Sequence, residues 1–239
     1  MEFKLPRLKI SQILNHFASK KIKKQKIYVP RITKKNLNEI AAITRVIERG
    51  GLPKYLVLKK LKGKLGHGIF LHPEAKPILK GEAIAPYSGE VLIGPQNFGE
   101  SSDYMFSLIT DLVLTKEEQR LLDPKAKYRP RRVYSIDLDA DKQGNFTRYI
   151  NHSEKPNVEA LLLKIPANSV GLQPAPFEMI YVAKATILPG EQLLVCYEGE
   201  DKSYWSALGI KPFPMTAKTF RIDSTLKIYE TQVRSSARR

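Results

Sequence analysis

The sequence predicts a mainly β domain with short helices, an α+β fold, preceded by a helical extension and followed by a tail. Three observations predict this. From Tyr55 onward, short runs of β-branched, aromatic and aliphatic residues are cut at intervals by glycine and proline turns, the pattern of many short strands. Before Tyr55 the apolar residues recur at helical spacing instead. The chain has 239 residues, 42% of them hydrophobic, which is ordinary for a folded domain with its own core. The expected boundaries are 1–55 for the basic helical extension, 56–200 for the main domain and 201–239 for the tail.

The elements follow in order. Ile10, Ile13, Leu14 and Phe17 suggest a short amphipathic helix. The run KKIKKQK, Lys20 to Lys26, comes next and reads as a nucleic-acid contact, a nuclear-import signal or a solvated linker. Thr33 is a candidate N-cap for a second helix lined by Leu37, Ile40, Ala41 and Ile47 and ended by Gly50-Gly51. Tyr55 to Leu58 is β-favouring and leads into the glycine-rich GKLGHGIF, Gly63 to Phe70. Ala83 to Tyr87 and Val91 onward are strands around a Ser88-Gly89 turn, and another strand starts near Asp103. Thr115 with Glu118 forms a capping pattern for a helix reaching Leu122. Tyr134 to Leu138, Val158 to Ile165 and Glu178 to Lys184 are β-like, the last two joined by a loop holding Pro166, Pro174 and Pro176. In the tail, Phe220, Ile222, Leu226 and Ile228 fall on even positions and hint at one strand. The last residues, VRSSARR, read as disordered.

The formal charge is +16, from 40 basic and 24 acidic residues, which favours anionic partners. Five of the cations, Lys125, Lys127, Arg129, Arg131 and Arg132, share one loop. The single cysteine, Cys196, excludes an internal disulfide framework and a cysteine-rich zinc cluster. The N-terminus lacks the continuous apolar core of a cleavable signal, and no apolar run approaches the roughly 20 residues of a membrane span. A cytoplasmic, nuclear or nucleoid location is expected, with no membrane partner.

The densest chemistry lies in GNFTRYINHSEKPN, Gly144 to Asn157. Asn145, Thr147, Arg148, Asn151, His152, Ser153 and Asn157 are interleaved there with Phe146, Tyr149 and Ile150. A buried polar group without a partner costs about 1–3 kcal/mol, so such a segment is either fully exposed or holds a polar ligand. Its apolar residues argue against full exposure. Two lesser readings fail. Asn145 and Asn151 open glycosylation triplets, yet no secretory signal precedes them. Asp137, Asp139 and Asp141 imitate a calcium loop, yet Lys142 and Arg148 stand where it needs Gly and Glu. No metal is expected.

RYINHS-x-x-PN resembles the signature of the SET-domain protein-lysine methyltransferases. Three further motifs resemble that family in the family's order: GHG at Gly66 to Gly68, Lys-Gly-Glu then Tyr-Ser-Gly-Glu at Lys80 to Glu90, and ILPGEQL followed by Tyr197. The match resembles a compact, bacterial-type member without cysteine-rich zinc clusters before or after the domain. It implies a β-clip of small curved sheets, with the segment ending at Tyr197 threaded beneath the Asn-His loop as a pseudoknot. It implies S-adenosyl-L-methionine as methyl donor, held around Gly66, His67, Gly68, Tyr104, Arg148, Asn151, His152 and Tyr197. Tyr197 and Tyr87 are the implied catalytic tyrosines, and Tyr87, Tyr149, Val195 and Trp205 the implied walls of a lysine channel. His67 also reads as a surface turn residue, Tyr87 as a core aromatic and Trp205 as a helix anchor. The tail aromatics, Trp205, Phe213 and Phe220 among them, are expected to cover the channel. Glu154 stands where the family usually carries Cys, and Val195-Cys196 replaces an aromatic-acid pair.

The implied substrate is a lysine-bearing protein, histone or histone-like, with nucleic-acid contact through the basic segments. Two other functions fit the same chain: a methyltransferase for ribosomal or other non-chromatin proteins, and a catalytically silent SET fold that binds nucleic acid. The sequence leaves the oligomeric state unknown.

Overall fold

A computed structural model describes residues 34–48, 51–95, 102–122, 124–125, 127–164, 177–198, 204–207 and 209–231. The expected first helix, the Lys20–Lys26 run, the Pro166–Pro176 loop and the extreme C-terminus lie outside the described residues. In chain order the elements are α1 (Lys34–Glu48), β1 (Leu56–Lys60), β2 (His67–Leu71), β3 (Ala83–Pro86), β4 (Glu90–Pro95), β5 (Met105–Val113), α2 (Lys116–Leu122), β6 (Val133–Asp139), a 3-10 turn (Phe146–Tyr149), β7 (Asn151–His152), β8 (Val158–Lys164), β9 (Phe177–Ala183), β10 (Leu194–Val195), α3 (Tyr204–Ala207), β11 (Phe220–Ile222) and β12 (Ile228–Glu230). The fold is α+β, built from small, mostly antiparallel sheets. The chain forms two compact units, one centred on Tyr87–Asn145, the other on Asn38–Pro86, Phe146–Leu161 and the chain from Ile180.

In the Tyr87–Asn145 unit, β6 is the middle strand, antiparallel to β4 on one side and β5 on the other. Ile93, Ile109, Leu112 and Ile136 share one core, which Leu114 and Leu122 close; Ile109 and Leu112 reach it together because the register of β5 shifts between them, where Asp111 takes φ 59°. The helix begins as its sequence dictates. Glu118 accepts the Thr115 N–H at 2.8 Å, and the Thr115 hydroxyl accepts the Glu118 N–H at 3.2 Å. This reciprocal box satisfies two N–H groups that a helix start leaves open. The three aspartates are also accounted for here. Asp137, buried, accepts hydroxyl bonds from Ser107 and Ser135, each 2.6 Å. Asp139 accepts the Ser102 hydroxyl and the Asp141 N–H.

In the other unit, β1 and β2 form an antiparallel hairpin running from Leu56↔Leu71 to Lys60↔His67. Its loop turns through Gly63 and Gly66, both left-handed at φ 66° and 68°, which glycine adopts without the Cβ clash of other residues. The helix α1 buries Ile40 and Ile43; Ile43, one turn beyond Ile40, was not among the expected core positions. Its end is closed by the Gly51 N–H, which donates to the Val46 carbonyl at 2.9 Å. Leu61, Phe70, Leu194, Met215, Phe220 and Ile222 form one core cluster of this unit.

Two expectations for the tail need correction. The even-position pattern from Phe220 to Ile228 is not one strand but a hairpin, β11 against β12. Asp223 makes the turn by accepting the Thr225 N–H and hydroxyl, at 3.0 and 2.6 Å, and Leu226 takes φ 59°. An aspartate that bonds its own backbone two residues on competes with strand continuation. Phe220 is therefore a core residue, 1% exposed, not a channel cover. Phe213 stacks on it with ring centroids 6.2 Å apart.

Candidate functional site

Three segments far apart in sequence meet in the second unit. The strand β7, holding Asn151 and His152, pairs in parallel with β10, so Leu194 lies beside Asn151 and Val195 beside His152. Asn151 sends its side-chain N–H to the His67 carbonyl at 2.8 Å, joining the glycine-rich hairpin to the Asn-His strand. His67 itself begins β2 and is exposed, its ring 5.8 Å from that of Tyr149. Tyr197 closes the arrangement. Its N–H donates to His152 Nδ1 at 3.0 Å, and its hydroxyl donates to the Ile150 carbonyl at 2.9 Å.

The Tyr197 N–H fixes the tautomer of His152: Nδ1 is the acceptor, so the neutral ring carries its proton on Nε2. That Nε2 is buried, and no hydrogen-bond partner reaches it from the described residues. Burial holds the His152 pKa below its ordinary value of 6.5, against the opposing pull of Glu198 and Glu154. Glu154 is exposed. Trp205, on α3, packs edge-on to His152, centroids 4.9 Å apart, and stacks on Tyr197 at 6.2 Å. Val195 is buried within β10, and its carbonyl accepts the Ser153 N–H at 2.9 Å. Arg148 bonds the Tyr149 hydroxyl at 2.6 Å and lies over the same ring.

Gly68 and Gln192 form a second notable pair. Gly68 does not need a left-handed backbone; it needs the absence of a side chain. A Cβ there would lie 2.5 Å from the Gln192 amide nitrogen. Gln192 is fully buried, and neither side-chain amide atom has a hydrogen-bond partner among the described residues.

The polar groups of the 144–157 stretch behave differently from the alternative posed by sequence. They are neither all exposed nor all turned to a ligand, because several clamp distant chain. Asn157, buried, donates to the Gln192 carbonyl at 2.9 Å and accepts the Leu194 N–H at 2.8 Å. The Ser153 hydroxyl donates to the Met215 carbonyl. Asn157, Ser153 and Gln192 were not among the candidate site residues. Their partners lie 35 to 62 residues away, so no local signal marks them. The Ile150 carbonyl, which orients Tyr197, was missed for the same reason.

Tyr87 and Tyr104 belong to the first unit and meet each other there. The Tyr87 hydroxyl donates to the Tyr104 carbonyl at 2.6 Å, and the Tyr87 ring packs on Phe106 at 5.5 Å. Tyr87 is buried and Tyr104 half-buried.

An α+β fold of small sheets, with a parallel Asn-His strand latched to a terminal tyrosine, defines the class. A family model described as SET domain matches residues 66–198, more than half of the chain. The chain belongs to the SET-domain family. It is similar to the ATXR5 SET domain solved in complex with histone H3, at 20% identity over 72% of this chain and 70% of that one, TM-score 0.47. It is also similar to the methyltransferase domain of human PR domain-containing protein 2, at 22% identity over 73% and 92%, TM-score 0.38. A third likeness is to the methyltransferase domain of human histone-lysine N-methyltransferase SETMAR, at 20% identity over 64% and 48%, TM-score 0.40. No curated protein matches the sequence significantly.

Proposed function

We propose that this chain is an S-adenosylmethionine-dependent protein-lysine N-methyltransferase acting on a histone-like protein. The observation that carries the reading is the latch of Tyr197 onto the Asn-His strand, through His152 Nδ1 and the Ile150 carbonyl. Family membership supplies the chemistry, and the latch supports the reading by bringing Tyr197 against the Asn-His strand.

The residues fit the donor. His152 offers a buried N–H with no partner among the described residues, which would cost about 1–3 kcal/mol unless an acceptor such as a nucleoside nitrogen or hydroxyl meets it. Asn151, His67 and the left-handed Gly66 stand beside it on one hydrogen-bonded frame. When bound, the donor supplies an electrophilic methyl group on a sulfonium.

The protein's own task is to present a neutral amine in line with that methyl. A free lysine has a pKa of about 10.4, so the site must disfavour the ammonium form. An apolar, partly desolvated passage does so. The Tyr197 hydroxyl has its proton engaged with the Ile150 carbonyl, which leaves it to act toward an amine as an acceptor and so to aim the nitrogen lone pair. The stacked rings of Tyr197 and Trp205 give an electron-rich wall that favours adjacent positive charge. Alignment of this kind can supply roughly 7–11 kcal/mol. The histone-like substrate rests on the family resemblance together with the basic charge, which suits a nucleoprotein setting.

The test is transfer of an isotope-labelled methyl group to core histones, and to a whole lysate, by the purified chain. Tyr197→Phe should lower the turnover at least about a hundredfold while donor affinity by calorimetry stays within about twofold. Labelled ribosomal bands with unlabelled histones would redirect the substrate. Absence of donor binding by the parent chain would remove the enzymatic reading.

A further inference from the structure

The loop 124–132, PKAKYRPRR, holds five cations and no carboxylate. It lies in the Tyr87–Asn145 unit, after α2, and plays no part in the latch described above. Lys125, Lys127, Tyr128, Arg129 and Arg131 are exposed. Among the described residues no carboxylate comes within ion-pairing distance of Lys127, Arg129 or Arg131. Arg132 differs: it lies over the Tyr134 ring at 6.0 Å.

Exposed cations alone are an ordinary solvated surface. What sets this loop apart is that its backbone is fastened from below. Gln119 on α2 is buried, and its side-chain amide treats Arg129 as a strand partner. Gln119 Oε1 accepts the Arg129 N–H at 3.1 Å, and Gln119 Nε2 donates to the Arg129 carbonyl at 3.0 Å and the Leu114 carbonyl at 3.2 Å. Pro130 restricts Arg129 to extended backbone. Arg131 then turns the chain at φ 67°, a conformation that side chains other than glycine adopt reluctantly. A fastened backbone holds the roots of the cations in place, so less chain entropy is lost when they engage a ligand.

We propose that this loop docks on single-stranded nucleic acid, with phosphates on Lys127, Arg129 and Arg131 and a base against the ring of Tyr128. Arginine forks match phosphate oxygens in pairs. An exposed aromatic ring between two cations offers a face on which an unpaired base stacks. A single-stranded nucleic acid presents flanking phosphates and an unpaired base in one ligand, which matches cations set on either side of a ring.

The experiment uses the full chain and a fluorescently labelled single strand of about 20 nucleotides, beside its duplex, with polarisation read across a salt series. Each phosphate contact to a single strand contributes roughly 0.7 to the slope of log affinity against log salt. The variant Lys127→Gln/Arg129→Gln/Arg131→Asn should therefore lose about 2 from that slope and bind about a hundredfold more weakly near 0.1 M salt. Asparagine tolerates the left-handed backbone at 131, and the Gln119 bonds use only the Arg129 main chain, so the variant should melt with the parent. Should it melt earlier, Lys127→Gln alone carries the test, with a slope shallower by about 0.7. Tyr128→Ala should weaken the single strand at least fivefold and leave the duplex unchanged. The proposal is overturned if the variants keep the parental slope and affinity, which would assign binding to other basic segments. It is equally overturned if the parent binds anionic vesicles or an acidic peptide but no oligonucleotide.

Discussion

The two units treat buried polar groups in opposite ways. In the Tyr87–Asn145 unit, Asp137 is met by two serine hydroxyls, and Gln119 has all its amide bonds directed at the backbone of Leu114 and Arg129. In the second unit, His152 Nε2 and both amide atoms of Gln192 are buried without hydrogen-bond partners among the described residues. Native interiors rarely leave such groups unpaired, because each costs about 1–3 kcal/mol. The polar groups named in the first unit are met within the chain, whereas the second unit holds buried polar atoms that no described residue meets.

The largest effect should come from breaking the clamp that holds the unsatisfied region together. Asn157→Leu removes the acceptor of the Leu194 N–H and the donor to the Gln192 carbonyl, both buried. Two stranded backbone groups predict a loss of about 3 kcal/mol in unfolding free energy. Ser107→Ala in the first unit removes one of the two Asp137 hydroxyl partners and should cost about 1 kcal/mol. Equal losses in urea denaturation would erase the distinction drawn between the units.

A smaller effect of opposite sign tests Gln192. Its amide sits against Gly68 beside the Leu61–Phe70–Leu194 core. Gln192→Leu replaces unpaired polar atoms with apolar ones of similar size and should stabilise the chain by about 1–2 kcal/mol. A loss of stability would mean instead that a buried water or ligand group answers the amide, a result that would sharpen the comparison by adding a second occupied position beside the glycine hairpin.

How much of this was legible depends on distance along the chain. The Thr115–Glu118 box, the strands around Ser88-Gly89 and the hairpin at Gly63 to Gly68 are decided by neighbours a few residues away, and the sequence shows them. The Asp223 turn was equally local, and the aspartate-serine-threonine run could have revealed it; alternation on even positions outweighed it. The clamp was not legible. Asn157, Ser153 and the Ile150 carbonyl acquire their roles only when β10 lies beside β7, and nothing in the composition of NHSEKPN distinguishes a residue that holds chain from one that holds ligand. The resemblance singled out this stretch, but which of its polar groups clamp distant chain is decided by tertiary structure.

The pH dependence should be the mildest effect, and it isolates His152. Its folded-state pKa lies below the ordinary 6.5 because burial disfavours the imidazolium. Above pH 6.5 the ring is neutral whether the chain is folded or not, so it contributes no pH dependence there. As the pH falls through 6.5 the unfolded chain takes up a proton that the folded chain resists, and stability declines until the folded pKa is passed, where the loss levels off. Protonation at Nδ1 also removes the acceptor of the Tyr197 N–H, so the latch loosens in the same window. His152→Gln keeps an acceptor near that N–H and does not titrate. The parent should lose stability relative to this variant between neutral pH and pH 5, read from urea midpoints. Parallel curves for the two proteins would show that His152 keeps its ordinary pKa, and its burial would cease to account for any loosening of the latch in acid.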